Sequence, residues 1–491
     1  MFEKMTPEQA GISSSYVTRF IKTLDQRGLT MHSVLLMKGE SIFGEFYWKP
    51  FHKDLPHRMY SQTKSYVGVA IGLLEEDGLL NLDDKIHTFF PDKFDRQLPP
   101  FLEELTVRQM LTMETAGTAP FWFKHPEVLD RTHHYLQNNT GIHPAGMQFQ
   151  YDSNGSQVLS SLVERLTGKT LFDFLNERIF RHLGTFQNAL ILKTRNDDSF
   201  GDSALICTTR DMASFGRFVM NYGTWQGKRL MNEAYLRTAT SRLVDNDRTG
   251  FAGAFSQGYG YQIWMVPGGF AFNGMGAQLT LCLPELDLIF SCTADNQGFP
   301  AAKDLILTAF YELIVENMGK PLPENPQAAA QCDTLADSLA LVCMQGQTES
   351  AFAAEVSGKR YLCRENPMGI TEFSLEFLQD GSGIFHYTNR QGEKHLPFGL
   401  GRNLFGKFPQ GGYSALHAGA PGPADHYYDC AASAVWAEPQ KLNLRVQIID
   451  RYLGNFLTTF SFKDEYAMIT MAKTAEGFLE EYHGQLVATA E

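Results

Sequence analysis

Apolar side chains recur at helical spacing after Ser61, at Val67, Ala70, Ile71 and Leu74, and the run stops at Gly78. That periodicity predicts a helix, and glycine suits the left-handed conformation that closes one. Upstream, residues 33–48 (SVLLMKGESIFGEFYW) place two apolar-rich runs around a Lys-Gly-Glu turn, which predicts a hairpin. From about 82 to 200 the pattern is mostly helical. LTVRQMLTM (105–113) offers Thr106 as an N-cap, and SQVLSSLVERLTG (156–168) is amphipathic and ends in glycine. TRDMASFGRFVMNYG (209–223) predicts another such helix. Strand character returns at 258–266, 277–285 and 286–294, and 301–319 predicts a closing helix.

KPLPENPQAAAQ (320–331), rich in proline and alanine, then reads as a linker. Beyond about 355 the texture changes to alternation. Phe373, Leu375 and Phe377 precede a turn at 379–382; Leu442, Leu444, Val446 and Ile448 alternate, as do Phe456, Thr458, Phe460 and Phe462. Period-two runs between turns predict a separate antiparallel β domain, a barrel or a sandwich. The expected division is 1–319, a linker at 320–331, and a β-rich 332–491.

With 491 residues the chain can bury a large core. Its net charge of −13 disfavours binding to phosphate backbones, and no basic run suggests a nucleic-acid partner. No secretory signal is evident at the start, and no run approaches the roughly 18 apolar residues needed to cross a bilayer. Seven cysteines form no C-x-x-C pair and read as small hydrophobes in a reduced compartment. A soluble cytoplasmic protein without a membrane partner is expected.

The chemistry starts with Ser61 and Lys64. Three residues apart on a helix, they lie side by side. A serine hydroxyl needs its proton removed before it attacks, and a neutral amine within hydrogen-bond reach can do that. A helix N-terminus also favours developing negative charge. Taken singly, the pair reads equally well as a solvated helix start. Gly68 and Gly72 each cost about 1 kcal/mol of helix propensity, tolerable where another backbone approaches closely. Tyr151, just ahead of an amphipathic helix, is placed to share the proton with Lys64, though alone it reads as a rim aromatic. FNGMGAQLTLCLPELDL (272–288) leads two glycines into a strand, where a bare N–H can meet a substrate oxygen; alone it reads as a glycine bulge.

Together these segments resemble the serine β-lactamase and penicillin-binding-protein superfamily, closest to its class C, esterase and aminohydrolase branch. The S-x-x-K element appears as Ser61-Gln62-Thr63-Lys64 and the Y-x-N or Y-x-S element as Tyr151-Asp152-Ser153. LLEEDGLLNLDDKI, LTVRQMLTMETAG, PAGMQFQYDSN, TTRDMASFGRFV and GYGYQIW extend the likeness over roughly residues 5–318. The resemblance implies a mixed α/β catalytic domain: an antiparallel sheet flanked by helices, with a helical part (about 82–200) inserted. It implies that Ser61 forms an acyl-enzyme, that Lys64 and Tyr151 act together as general base, and that the oxyanion sits between the N–H of Ser61 and one near Met275. Ser153 would orient the lysine or a substrate amide.

The third element departs from the family's K-T-G or H-T-G. Aligning Gly274 with that glycine puts Phe272 and Asn273 before it, and phenylalanine cannot pair with a carboxylate. Relatives reading G-x-G-G-Q there tend to be esterases or small-amide hydrolases; Gln278 fits that variant, with Ala277 replacing one glycine. The expected substrate is a small ester or amide with no required anionic group, and the chain is not expected to be a dedicated β-lactamase. Phe121, Trp122, Phe123, Tyr259, Tyr261 and Trp264 suit an apolar acyl or aryl group, or else core packing. No H-E-x-x-H, nucleophile elbow, Walker loop or complete dinucleotide fingerprint occurs, so neither a metal nor a cofactor is expected. The competing reading is a catalytically silent scaffold or sensor. For the C-terminal domain, cleft shaping, homodimer formation and binding of a separate ligand stay open.

Overall fold

The computed structural model describes all residues except 1, 118, 123, 124, 126, 248–252, 412–426, 451 and 476–478. It divides into two compact units, Met1–Ala340 and Leu341–Glu491.

The first unit is built on a seven-stranded sheet. Its order from one edge is Glu3–Lys4, Ser41–Tyr47, Met31–Lys38, Leu288–Ala294, Gln278–Leu283, Gly269–Gly274 and Trp264–Val266. All neighbours are antiparallel except the first pair. Both faces are covered, which is why Met31–Lys38 reads as an unbroken apolar run rather than an alternation. Along that strand Leu35 and Met37 enter one apolar layer and Val34 and Leu36 the other.

One face carries the helices Thr63–Glu76 and Thr209–Met220, with Tyr66 stacked on Phe215 at 3.8 Å between ring centroids. The other carries Ser14–Gln26 and Ala302–Leu313, where Phe290 stacks on Phe310 at 4.6 Å and meets Phe20 edge-on. The segment between the hairpin and the later strands is helical, as its periodicity implies. It includes Val107–Leu111, Arg131–Asn138 and Ser153–Thr167. Thr106 caps the first of these, accepting from Gln109 N, and Gly168 closes the last at φ 67°.

Two expectations change. Of the strand expected at 258–266, only Trp264–Val266 is extended. Gly258 and Gln262 have φ of 110° and 58°, which break the pleat, and the Gln262 amide donates to the carbonyls of Met110 and Leu111 instead. The stretch expected as a linker at 320–331 runs into a helix, Pro326–Ser338, that belongs to the first unit. Asn325 caps it and Pro326 takes the first helical position, where its missing N–H costs nothing. Cys332 and Leu339 join the layer that holds Phe20. The proline was a helix start, not a linker.

The second unit is a ten-stranded sheet, from Gly392–Leu400 at one end to Leu404–Gly411 at the other. An added pairing of Gly399 with Ser433 and Leu400 with Ala434 curls it closed as a barrel. The alternating residues point inward as the period-two pattern requires: Leu442, Leu444, Val446 and Ile448 are buried, as are Phe456, Thr458, Phe460 and Phe462. All seven cysteines are free thiols, five of them buried and Cys343 and Cys363 partly exposed. Among the described residues no helix is long and apolar enough to cross a membrane.

Candidate active site

The chain enters the site through the short strand His57–Arg58, paired with Leu205–Cys207. It then makes a single 3-10 turn, Tyr60–Gln62, that runs straight into the helix Thr63–Glu76. Tyr60 sits at φ 49°, a left-handed conformation that costs a non-glycine residue about 1–2 kcal/mol. Neighbours hold it there. The Thr63 hydroxyl donates to Tyr60 O at 2.7 Å and accepts from Leu205 N at 3.0 Å, and Met59 N donates to Leu205 O at 2.7 Å. This bend turns Ser61 out at the helix start. Strain at such a position is characteristic of functional sites.

Lys64 is 1% exposed. Its Nζ lies 3.1 Å from Ser61 Oγ and donates to the main-chain carbonyl of Asp202 at 2.6 Å. The helix that carries the pair is wedged tightly. A Cβ on Gly68 would come within 2.7 Å of Tyr261 O, so the backbone approach expected there is real, whereas at Gly72 the obstacle is the Tyr235 ring. Ser65 and Ser156 both donate to Gln262, tying this helix to Ser153–Thr167.

Tyr151 immediately precedes that second helix. Its ring stacks on Trp264 with centroids 5.6 Å apart, and Lys64 Nζ stands 5.2 Å from the ring centroid. The hydrogen bonds of Lys64 go to Ser61 and Asp202, so lysine and tyrosine meet through the ring face rather than through the phenol oxygen. Asp152 fixes the tyrosine's backbone. Its carboxylate caps the helix by accepting from Gly155 N at 3.0 Å, and it also accepts from the hydroxyls of Tyr135 and Thr115. Burial pushes its carboxyl up to about 6 against those hydrogen bonds. Ser153 opens the helix and makes no hydrogen bond to Lys64, so it does not orient the lysine here.

The glycine turn reaches the serine directly. A Cβ on Gly274 would fall 2.2 Å from Met59 O, so only glycine lets this strand end lie against the chain two residues before Ser61. Met275 follows, half-exposed, in a 3-10 turn in which Gly276 and Ala277 have φ of 73° and 74°. Ala277 thus holds a left-handed conformation that glycine adopts without strain.

Two residues expected to contact substrate are fully buried. Gln278 is buried, and its amide spans Met275 O (3.1 Å) and Ala294 O (2.6 Å), bracing the turn from behind. Phe272 is fully buried among Tyr66, Phe215 and Phe270. Strand alternation sends it to the face that carries Thr63–Glu76 and sends Asn273 to the face that carries Ala302–Leu313. The aromatic residues divide similarly. Tyr259 and Trp264 pack edge-on at 5.0 Å in the core, Tyr261 accepts from Arg108, and Phe121 is exposed. Phe123 lies outside the described residues.

Four charged residues escaped the sequence reading. Lys303, from the closing helix, donates to Asn273 Oδ1 at 2.7 Å, and burial lowers its amine to about 8. The glycine turn thus has a cation beside it although none precedes it in sequence. Asp202, Arg131 and Arg58 surround Lys64. Arg131 Nη1 lies 3.9 Å from Asp202 Oδ1, and Arg58 Nε donates to Ser203 O at 2.9 Å. Burial raises the Asp202 carboxyl, opposed by the nearby charges of Lys64, Arg131 and Arg58, and burial brings Arg131 down to about 10. None of these contacts leaves a local motif, because each joins segments far apart in the chain. No group of three His, Cys, Asp or Glu side chains able to hold a metal occurs among the described residues.

The chain is 24% identical over 283 residues to the 6-aminohexanoate-dimer hydrolase of Paenarthrobacter ureafaciens, covering 54% of this chain and 71% of that protein. Among solved structures, a candidate 6-aminohexanoate-dimer hydrolase from Bacillus anthracis matches with a TM-score of 0.53 at 19% identity, over 64% of this chain and 86% of that one. The structure of SurE with D-Leu matches at 0.50 and 14% identity, over 78% and 97%. At those identities the two structures speak for the fold alone. The model of the Beta-lactamase family matches residues 17–310, more than half of the sequence, and the chain belongs to the Beta-lactamase family.

Proposed function

We propose that this chain is a serine hydrolase that cleaves a small amide or ester through an acyl-enzyme on Ser61. The observation that carries the reading is Lys64 Nζ, buried and 3.1 Å from a serine hydroxyl at the head of a helix. Ser61 Oγ attacks the substrate carbonyl carbon while the Lys64 amine takes the hydroxyl proton. Negative charge on the carbonyl oxygen is met by the N–H of Ser61 and by one near Met275, a reading supported by the close approach of Gly274 to Met59. Collapse of the tetrahedral species breaks the bond to the leaving group, which takes a proton from the Lys64–Tyr151 side. Water then attacks the acyl carbon, Lys64 again serving as base, and releases the acid.

The amide preference draws on the 6-aminohexanoate-dimer hydrolase, since two amino acids of that kind are joined through an amide. A panel of p-nitrophenyl esters, linear amides of ω-amino acids, D-amino-acid amides and β-lactams tests the reading. Turnover is expected on the short esters and at least one amide series, with β-lactams the poorest. Silence across the whole panel would instead support the scaffold or sensor reading.

A further inference from the structure

Lys64 has one main-chain partner, the carbonyl of Asp202, and that carbonyl sits on a segment gripped from two sides. Arg58 donates from Nε to Ser203 O at 2.9 Å and from Nη2 to Ser203 Oγ at 3.1 Å. Arg131, on the helix Arg131–Asn138, sits in the corner that Trp122 and Phe200 make edge-to-face, its guanidinium carbon 3.4 Å and 3.9 Å from the two ring centroids. Arg58 also faces Phe200, at 5.2 Å. Both arginines and Asp202 are buried, and Arg131 Nη1 and Asp202 Oδ1, 3.9 Å apart, make no hydrogen bond. Such charges are costly to bury, and apolar packing of similar volume often serves a fold as well. The placement points to a polar task, presenting Asp202 O to the lysine.

Resting on the acyl-enzyme reading above, we propose that Arg131 and Arg58 are positioning residues. They clamp Phe200–Ser203 so that the Asp202 carbonyl holds the Lys64 amine against Ser61 Oγ. Lysine has four rotatable side-chain bonds, and without that fixed acceptor its amine spends less time at 3.1 Å from the hydroxyl. Misplacement of a catalytic group by about 1 Å costs on the order of 100-fold in rate. Shape matters here: a lysine at 131 keeps the charge but lacks the planar guanidinium that meets both rings at once.

The test measures the rate of Ser61 phosphonylation by an alkyl fluorophosphonate in the full chain, separated into the maximal inactivation rate and the half-saturating concentration. Arg131→Gln and Arg131→Lys are each expected to lower the maximal rate about 10- to 100-fold while the half-saturating concentration stays within about twofold. Phe200→Leu keeps every charge, removes the stacking surface, and is expected to give the same split; it also stands in should the Arg131 variants fail to fold. An unchanged maximal rate in folded Arg131→Lys or Phe200→Leu overturns the proposal while leaving the serine-hydrolase reading intact. A parent chain that is never labelled at Ser61 overturns both.

Discussion

Lys64→Ala is expected to lower kcat/KM for ester and amide turnover by about 100- to 10,000-fold, the range associated with loss of a general base. The argument is geometric. Lys64 Nζ is the basic group in hydrogen-bond reach of Ser61 Oγ, and the helix spacing and the Asp202 carbonyl leave it little freedom. The fold is expected to survive at reduced stability, because the substitution removes the buried methylene stem of only one side chain in a large core. It leaves Asp202 O without its donor, at about 1–3 kcal/mol. Steady-state kinetics beside far-UV circular dichroism checks both parts, and wild-type-like turnover would remove Lys64 from the mechanism. Tyr151→Phe sharpens the result. The ring that packs on Trp264 is kept and only the phenol oxygen goes. A p-nitrophenolate leaves without protonation, whereas an amine does not, so amide turnover is expected to fall further than p-nitrophenyl ester turnover.

The largest expected loss of stability is at Phe272. With no exposed surface and neighbours Tyr66, Phe215 and Phe270, Phe272→Ala opens a cavity beneath the serine helix at a cost of about 3–5 kcal/mol. Thermal or denaturant unfolding measures this directly. A variant as stable as the parent but with a raised KM would instead make Phe272 a substrate contact, the role its place in the sequence motif suggests.

Phe272 also shows where sequence reasoning stops. The strand end and Gly274 are legible in the motif, because a Cβ there would fall 2.2 Å from Met59 O and only glycine fits. Which face Phe272 occupies depends on strand register, and one residue of register exchanges the two faces. Ser61, Lys64 and Tyr151 were legible because helical spacing and local phrases fix the first two and place the third before a helix. Gln278 was legible as a position but not as a brace, since its partner Ala294 belongs to another strand. Asp202, Arg131 and Lys303 are silent for the same reason, each meeting the site across a long stretch of chain; Arg58 stands close to Ser61 in sequence, but its partner Ser203 does not. The barrel could be read from period-two alternation, which needs no long-range knowledge. The helix Pro326–Ser338 was missed because proline and alanine were weighed as linker composition, although Asn325-Pro326 is a cap followed by the first helical residue.

Covalent capture at position 61 addresses the whole account. Treating the intact chain with a fluorophosphonate and mapping the adduct by peptide mass spectrometry is predicted to give one modification, on Ser61, that is absent in Ser61→Ala and strongly slowed in Lys64→Ala. An adduct on a different residue, or undiminished labelling in Ser61→Ala, would contradict it.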